Sequence, residues 1–290
     1  MAQTATMNYI HAMRPWSLTI SAMSVVVATA GCGQQYFASD SFVRVLLMGM
    51  CMQAGGNCTN TYFDFHKGVD NKNSGEKTLV DAVMPPMHML LMSNVFYVLG
   101  AMAAWPYLQP LESCNSDESC YPVRILFGLG VVLAYAYSAS PFSLKYRALG
   151  NVVVYACFGP LLMQLTSLIL TGNPHDIFYV YSIPIGSLAC AMYHANDSRD
   201  INSDTQAGVT TLASLVGYNV SSRIFTFLVI TAFVAIFMLG TFFHAACMLG
   251  FLATPMVQNL LLLSQRGKLD DLPAEVQKVL LLVGALLATG

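Results

Sequence analysis

Two polar stretches carry most of the reactive side chains: Asn60-Thr-Tyr-Phe-Asp64-Phe-His66-Lys67-Gly-Val-Asp70 and Asn196-Asp-Ser-Arg199-Asp200-Ile-Asn-Ser-Asp204. Only 10% of the 290 residues are charged, and each stretch follows a long apolar segment. Residues four apart share one face of a helix, so Asn60 and Asp64 point together, as do Asn196, Asp200 and Asp204. Carboxylates gathered at a membrane surface repel one another unless a cation lies between them. Hard oxygen donors that leave room for water suit Mg²⁺ bridging to phosphate. The paired motifs therefore read as a clamp for a Mg²⁺–diphosphate unit. Asn60, Asp64, Asn196, Asp200 and Asp204 are the expected metal donors, and Asp70 is a looser contact on the substrate side. A lone Asn-x₃-Asp reads equally well as solvated loop acids. Two of them in helical register, at corresponding membrane exits, do not, because ionisable groups at the membrane are costly and mark function.

Cations accompany the acids. Lys67 and Arg199 lie inside the motifs, and Lys145 follows Tyr137-Ser-Ala-Ser-Pro-Phe-Ser-Leu at a third exit on the same side. Each can cover phosphate oxygens that a metal leaves bare and stabilise a departing diphosphate; Lys72 reads instead as a topology determinant. Tyr62, Phe63, Tyr137 and Tyr193 stand where the helices meet the acids. Singly, each is packing or an interface anchor, but together their ring faces can stabilise an allylic cation. His66 and His194 are not assigned to metal, since Mg²⁺ prefers oxygen. His194, two residues before Asn196, reads as a hydrogen-bonding or proton-transfer group. No Cys/His spacing suggests zinc, and no glycine-rich phosphate loop is present.

The elements that must hold these groups follow from composition. At 56% hydrophobic residues the chain lies far from soluble domains, in which about a quarter of residues are charged. It reads as an all-α, polytopic membrane protein. With roughly 20 apolar residues needed per span, nine spans are predicted, over about 16–36, 42–62, 87–106, 123–141, 148–171, 177–195, 220–240, 242–263 and 275–290. Alternate threading puts Arg14, Lys67, Lys72, Lys77, Lys145, Arg147, Arg199, Arg223, Arg266, Lys268 and Lys278 on one side, and only Arg44 and Arg124 on the other. The positive-inside rule places the richer side in the cytosol. The N-terminus and both acidic motifs are then expected to face the cytosol, with the C-terminus across an internal membrane of the endoplasmic reticulum or Golgi type. Met1–Met13 reads as a short cytosolic lead.

The polar loops 65–85 and 205–219 are expected to fold as cytosolic cap helices, because backbone near a membrane must pair with itself or line a wet cavity. Residues 210–217 would form a short interfacial helix ending at a glycine. Six of the eight cysteines sit in or near apolar spans as packing residues,. Cys114 and Cys120, in the 107–122 loop, either pair in an oxidising lumen or remain free thiols. No linker interrupts the chain, so one domain is expected over 1–290, and no nucleic-acid partner.

Arg14-Pro-Trp-Ser17, the Asn60–Asp70 stretch, Thr78-Leu-Val-Asp81, Phe158-Gly-Pro160 and His194-x-Asn-x-x-Arg-Asp-x-x-x-Asp204 resemble the UbiA superfamily of intramembrane prenyltransferases, from about Arg14 to the end. The resemblance is strongest to its menaquinone-type branch, which includes animal UbiA-domain-containing prenyltransferases. It implies a nine-helix UbiA-type bundle, Mg²⁺ dependence, a polyprenyl diphosphate donor and an aromatic quinol or naphthoquinol acceptor within the membrane lipid. In one departure, that branch usually has an acidic residue after Ala148-Leu149-Gly150, where this chain has Asn151. Asn151 therefore joins Tyr62, Asp70 and His194 as residues expected to meet substrate, while Lys67, Lys145, Arg199 and Tyr137 are expected to assist catalysis.

The expected activity is transfer of a polyprenyl group, geranylgeranyl by resemblance, to an aromatic acceptor of the menaquinone or ubiquinone type. Two alternatives stand beside it. A terpene cyclase of the same superfamily would ionise the same donor without an acceptor pocket, and a non-catalytic sensor would bind the donor and regulate a partner. Release of a terpene without any quinol marks the first, and donor binding without diphosphate release marks the second.

Overall fold

The computed structural model describes residues 13–70, 78–109 and 121–289. Lys72, Lys77, Cys114 and Cys120 lie outside the described residues, and with them the question of a disulfide. Among the described residues the secondary structure is helical, with no strand and a single parallel bridge between Arg147 and Thr210.

A 3₁₀ turn at Pro15–Leu18 leads into α1 (Thr19–Cys32). Proline suits that first position because its missing N–H would have had no helical partner. Helix α2 (Asp40–His66) starts where the Ser39 hydroxyl accepts from the Phe42 N–H, satisfying one of the unpaired first-turn donors. Next come α3 (Pro86–Leu108) and α4 (Tyr121–Ala136). The fifth apolar segment is bent. Helix α5 (Gly150–Ala156) passes through a π turn at Cys157–Leu161 into α6 (Leu162–Thr171). Pro160 has no N–H to donate inside it, and Gly159 leaves helical geometry at φ −92°, ψ −108°,. A Cβ on Gly159 would lie 3.2 Å from the Ser182 carbonyl, so this bend and the close approach of the next helix need a glycine. That helix, α7 (Ile177–Arg199), is followed by short α8 (Ile201–Gln206) and long α9 (Leu212–Phe242). Gly217, at φ 74° and ψ 167°, breaks α9 and sets off the turns 212–216 from the long apolar stretch. A 3₁₀ segment (Ala245–Ala253), α10 (Thr254–Gln265) and α11 (Leu272–Leu287) complete the bundle.

Six helices among the described residues are long and apolar enough to cross a membrane: Pro15–Cys32, Pro86–Leu108, Gly150–Thr171, Ile177–Arg199, Leu212–Phe242 and Ala245–Gln265. The other three predicted spans coincide with α2, α4 and α11, which are helices of a different kind. Helix α2 has length enough at 27 residues, but Gln53, Asn57, Asn60 and Asp64 dilute its hydropathy. Helices α4 and α11 run only 16 residues each, short of the roughly 20 of a full span.

The main core packs Ile20, Phe178, Ile185, Phe225, Ile236 and Val279 where α1, α7, α9 and α11 meet. A smaller cluster joins Val25, Val45, Met48, Leu162 and Leu165 across α1, α2 and α6. Outward, Leu91, Met102, Val132, Phe227 and Phe242 are exposed, an apolar surface that belongs in lipid rather than water. This arrangement brings the C-terminal ends of α2 and α7, and hence the two acidic motifs, to one end of the bundle.

Candidate functional site

Asp64 lies in the last turn of α2 and is buried. One turn earlier, Asn60 Nδ2 donates to Asp64 Oδ2 at 2.8 Å and to Ser138 Oγ at 3.0 Å. The loop after α4 supplies the rest of the Asp64 surroundings. Lys145 Nζ donates to Oδ2 at 2.8 Å, and Tyr146 Oη donates to Oδ1 at 2.6 Å. Both residues ride on a 3₁₀ turn at Leu144–Tyr146. That turn is tied down by the Lys145 N–H bonding the Tyr137 carbonyl and the Ala148 N–H bonding the Thr210 carbonyl. Burial opposes the charge on Lys145, yet the Asp64 carboxylate, helped by Tyr146, Asp197 and Asp204, holds its pKa well above the ordinary 10.5. Lys145 is therefore a fixed cation. The Lys67 ammonium sits 4.9 Å from the centre of the Tyr146 ring, a cation–π distance.

The second motif is built differently. Helix α7 ends at Arg199, and Asp200, at φ −93° and ψ 10°, turns the chain into α8. Arg199 donates Nε and Nη2 to the two oxygens of Asp200, each at 2.9 Å, and both side chains remain 24% exposed. Asp204 is buried and accepts from Thr211 Oγ1 at 2.8 Å. Burial pushes its carboxyl up to about 6, with Lys145 and the Thr211 hydroxyl pulling the other way and Asp64 and Asp200 adding to the rise. Asp197 is also buried, within electrostatic range of Lys145, Asp204, Asp200 and Asp64. The two motifs thus share one field, with Lys145 between them.

Among the described residues, no three His, Cys, Asp or Glu side chains converge closely enough to cage a metal by themselves. The donors are nevertheless all oxygen, contributed from the ends of α2 and α7 and from α8, with the buried Lys145 ammonium bonded to Asp64 and within electrostatic range of Asp197 and Asp204. Such a set fits Mg²⁺, which keeps several waters and is held by one or two carboxylates together with substrate phosphates. It does not fit a closed zinc site.

Below the acids lies an apolar cavity of about 110 Å³. Its polar end is formed by Asn60, Asn57, Gln53, Tyr137 and Tyr193, and its far end by Met48, Phe127, Leu162 and Leu165. Tyr193 stands edge-on to Tyr137 (6.3 Å) and stacks on Phe158 (6.0 Å), so three rings edge the cavity beneath the acids. The N-terminal turn closes one side. Gln53 donates to the Ser17 carbonyl and accepts from Ser21, Asn57 donates to Ser17 Oγ, and Arg14 Nη2 donates to Thr61 Oγ1 at 3.0 Å.

Of the residues singled out in the sequence, Asn60, Asp64 and Lys145 are joined by hydrogen bonds, Asn60 and Tyr137 line the cavity, and Lys67 is one ring away. Asp204 faces them through the shared field, whereas Asp200 is engaged by Arg199. Asn196 is half-buried at the end of α7. The Asp70 N–H caps the α2 terminus through the Asp64 carbonyl. Tyr62 packs against the cluster of Cys58, Leu79, Met84 and Met89, away from the cavity lining. Asn151 and His194 bond each other (3.0 Å) behind the cavity wall, and His194 continues to Ser221. Sequence reasoning missed Asp197, Tyr146, Gln53 and Asn57. Asp197 lies inside the second motif, next to Asn196, and Tyr146 adjoins a lysine already singled out.

The profile of the UbiA prenyltransferase family matches residues 21–282. The chain is 32% identical over 260 residues to "UbiA prenyltransferase domain-containing protein 1" of Danio rerio, covering 88% of this chain and 74% of that protein. It is 31% identical over 288 residues to the Dictyostelium discoideum protein of the same name, covering 98% and 87%. Among solved structures, an apo UbiA homologue from Aeropyrum pernix K1 superposes with a TM-score of 0.71 at 11% identity, covering 95% of this chain and 96% of that one. A UbiA homologue from Archaeoglobus fulgidus bound to GPP and Mg²⁺ superposes at 0.62 and 14% identity, covering 98% and 100%.

Proposed function

The chain belongs to the UbiA prenyltransferase family, and from that premise we propose that it is a Mg²⁺-dependent intramembrane prenyltransferase acting on a polyprenyl diphosphate and an aromatic quinol. The observation that carries this reading is one continuous site: a buried lysine between two acidic motifs, directly above an apolar cavity edged by aromatic rings. Charge at one end and hydrocarbon at the other match the two halves of a prenyl diphosphate. The A. fulgidus homologue, of the same fold, binds GPP with Mg²⁺.

Asp64, Asp197 and Asp204, with the amides of Asn60 and Asn196, would hold Mg²⁺, which when bound neutralises the diphosphate and makes it a better leaving group. Lys145 is fixed where negative charge develops on that leaving group, and a preorganised cation there lowers the barrier to ionisation. Lys67 and Arg199 stand at the rim, positioned to meet the outer phosphate oxygens. The faces of Tyr137, Tyr193 and Phe158 border the position of the allylic carbon and stabilise its cation. The apolar wall below excludes water that would otherwise quench it, and each buried CH₂ of the tail contributes about 0.8 kcal/mol to binding. The quinol ring then attacks the cation, and a proton leaves the ring. A nine-span topology, with α2, α4 and α11 also crossing the membrane and the acids on the cytosolic side, completes the reading.

Protein reconstituted in liposomes with labelled geranylgeranyl diphosphate and Mg²⁺ should form prenylated product only when a naphthoquinol is added, and none in excess chelator. Terpene release that ignores the quinol would instead make the chain a cyclase. Donor binding without any diphosphate release would make it a sensor.

A further inference from the structure

The loops that feed the two acidic motifs are joined by the single bridge between extended segments among the described residues, Arg147 to Thr210. One side of it carries the 3₁₀ turn Leu144–Tyr146, from which Lys145 and Tyr146 reach Asp64. The other side continues into Thr211, the residue that caps α9. Between them the Ala148 N–H donates to the Thr210 carbonyl at 2.9 Å. Ala148 stands at φ 58°, a left-handed conformation that is unfavourable for a residue with a side chain and persists only where its surroundings enforce it. Thr211 is therefore held from both sides, by the bridge before it and the helix after it. Its N–H donates to Ser214 Oγ at 2.9 Å, and its Oγ1 accepts from the Ser214 N–H at 3.2 Å. The hydroxyl has one proton to give. Asp204 Oδ2, at 2.8 Å, is a closer acceptor for it than Ser214 Oγ at 3.2 Å.

These bonds decide how many oxygens each carboxylate can offer to a cation. An ionised carboxylate has about four lone-pair sites, two on each oxygen. At Asp64, Lys145 and Asn60 fill Oδ2 and Tyr146 takes one site on Oδ1, so one site on Oδ1 stays open. At Asp204, Thr211 holds Oδ2 and leaves Oδ1. Of the three buried carboxylates, Asp197 is the one with no hydrogen bond on either oxygen among the described residues. Such restriction suits Mg²⁺, which keeps several waters and takes one or two carboxylates at about 2.0–2.1 Å, whereas Ca²⁺ takes about 6–8 oxygens, bidentate carboxylates among them. Removing a donor has a different consequence in each arm. Without the Thr211 hydroxyl both Asp204 oxygens are free, but without the Tyr146 hydroxyl Oδ2 of Asp64 is still filled. We propose that Thr211 sets the metal specificity of the site: by occupying Asp204 Oδ2 it limits that carboxylate to one oxygen and biases the site toward Mg²⁺ against Ca²⁺. Thr211 is a positioning residue, acting through Asp204. The inference rests on the metal–diphosphate reading above.

The test measures metal binding apart from turnover. The whole protein in liposomes is loaded with a geranylgeranyl diphosphate analogue whose C–O–P oxygen is replaced by CH₂, so that it cannot ionise. The rise in unfolding temperature is then titrated with Mg²⁺ and, separately, with Ca²⁺. Wild type should prefer Mg²⁺. Thr211→Val should shift the ratio of the two half-saturation concentrations toward Ca²⁺ by about tenfold, the scale of one hydrogen bond to a charged group. Thr211→Gly, which lacks the hydroxyl but is tolerated at a helix N-cap, should do the same and replaces the valine variant if that protein does not fold. Thr211→Ser should keep the wild-type ratio. Ser214→Ala breaks the capping box and should lower the unfolding temperature while leaving the ratio unchanged, and Tyr146→Phe should move the ratio far less than Thr211→Val. A wild type that prefers Ca²⁺, a ratio unmoved by loss of the Thr211 hydroxyl, or an equal shift in Ser214→Ala or Tyr146→Phe would overturn the proposal. The analogue does not react, so a shifted ratio in a protein that never prenylates a quinol supports the role of Thr211 and refutes the transferase reading. The two therefore fail separately.

Discussion

The two acidic motifs look like copies in the sequence and are opposites in the structure. Around Asp64 three donors are committed: Lys145 and Asn60 to one oxygen, Tyr146 to the other. In the second motif, Asp200 is neutralised at the surface by its neighbour Arg199, while the buried Asp204 accepts from the Thr211 hydroxyl and, like the buried Asp197, lies in the field of Lys145 without an ion pair among the described residues. The first arm is thus preassembled, and the second holds the uncompensated negative charge that a divalent cation would relieve. The repeated spacing supplies acids, and the partners that reach them from other elements divide the labour.

The largest expected effect compares the two ion pairs. Lys145→Met strands a buried carboxylate and should cost about 3–5 kcal/mol of stability. Arg199→Met breaks a partly exposed pair and should cost about 0–1 kcal/mol. Thermal unfolding in detergent reads both, and equal losses would erase the distinction between the arms.

Activity sharpens the comparison within the second motif. Asp64→Asn and Asp197→Asn should each lower turnover by about 10²–10³, the scale for losing one charge-stabilising group. Asp200→Asn should lose less, because Arg199 already holds that carboxylate. Near-normal turnover by Asp197→Asn in the liposome assay would move the metal-facing role back to Asp200.

The pH dependence of stability should follow Asp204. Its folded pKa of about 6 exceeds the ordinary 3.8 because of burial, so the folded state binds the proton more tightly than the unfolded state. Stability is fully present below about pH 4 and declines as pH rises to about 6, a difference of roughly 3 kcal/mol at 1.36 kcal/mol per unit. Without Mg²⁺, Asp204→Asn should remove this slope and be the more stable protein at pH 7. Lys145, whose pKa lies above its ordinary value, stays charged throughout that window. A slope undiminished in Asp204→Asn would assign the titration elsewhere.

The smallest effect is expected at Asn151. Its amide donates to His194 behind the cavity wall, and its Oδ1 accepts no hydrogen bond among the described residues. A carboxylate cannot donate, so Asn151→Asp should reverse the pairing and place a proton on His194 Nδ1. Acceptor kcat/KM should change less than about tenfold, with a shifted His194 NMR signal as the direct readout. An unmoved signal would mean that the pair does not set the His194 tautomer.

Much of this was legible in the residues alone. A chain that is 56% hydrophobic and 10% charged must bury its polar groups together within a helical bundle, because lipid offers them no partners. Periodicity then puts Asn60 beside Asp64 on α2. Composition could not sort out α2, which spends its hydropathy on the polar face that lines the site, or α4 and α11, which are apolar but run only 16 residues each. Spacing also treated Asn196, Asp200 and Asp204 as one continuous helix, whereas the chain turns at Asp200, which leaves Asp200 to Arg199 and buries Asp204. Lys145 and Tyr146 stand 81 and 82 residues from Asp64. Nothing local in the sequence could pair them. Local chemistry determined which residues can bind a charged headgroup and which a hydrocarbon tail. Only tertiary packing decided which acid is neutralised and which is left in the field, because charges in a bundle are paired by whichever helices meet there.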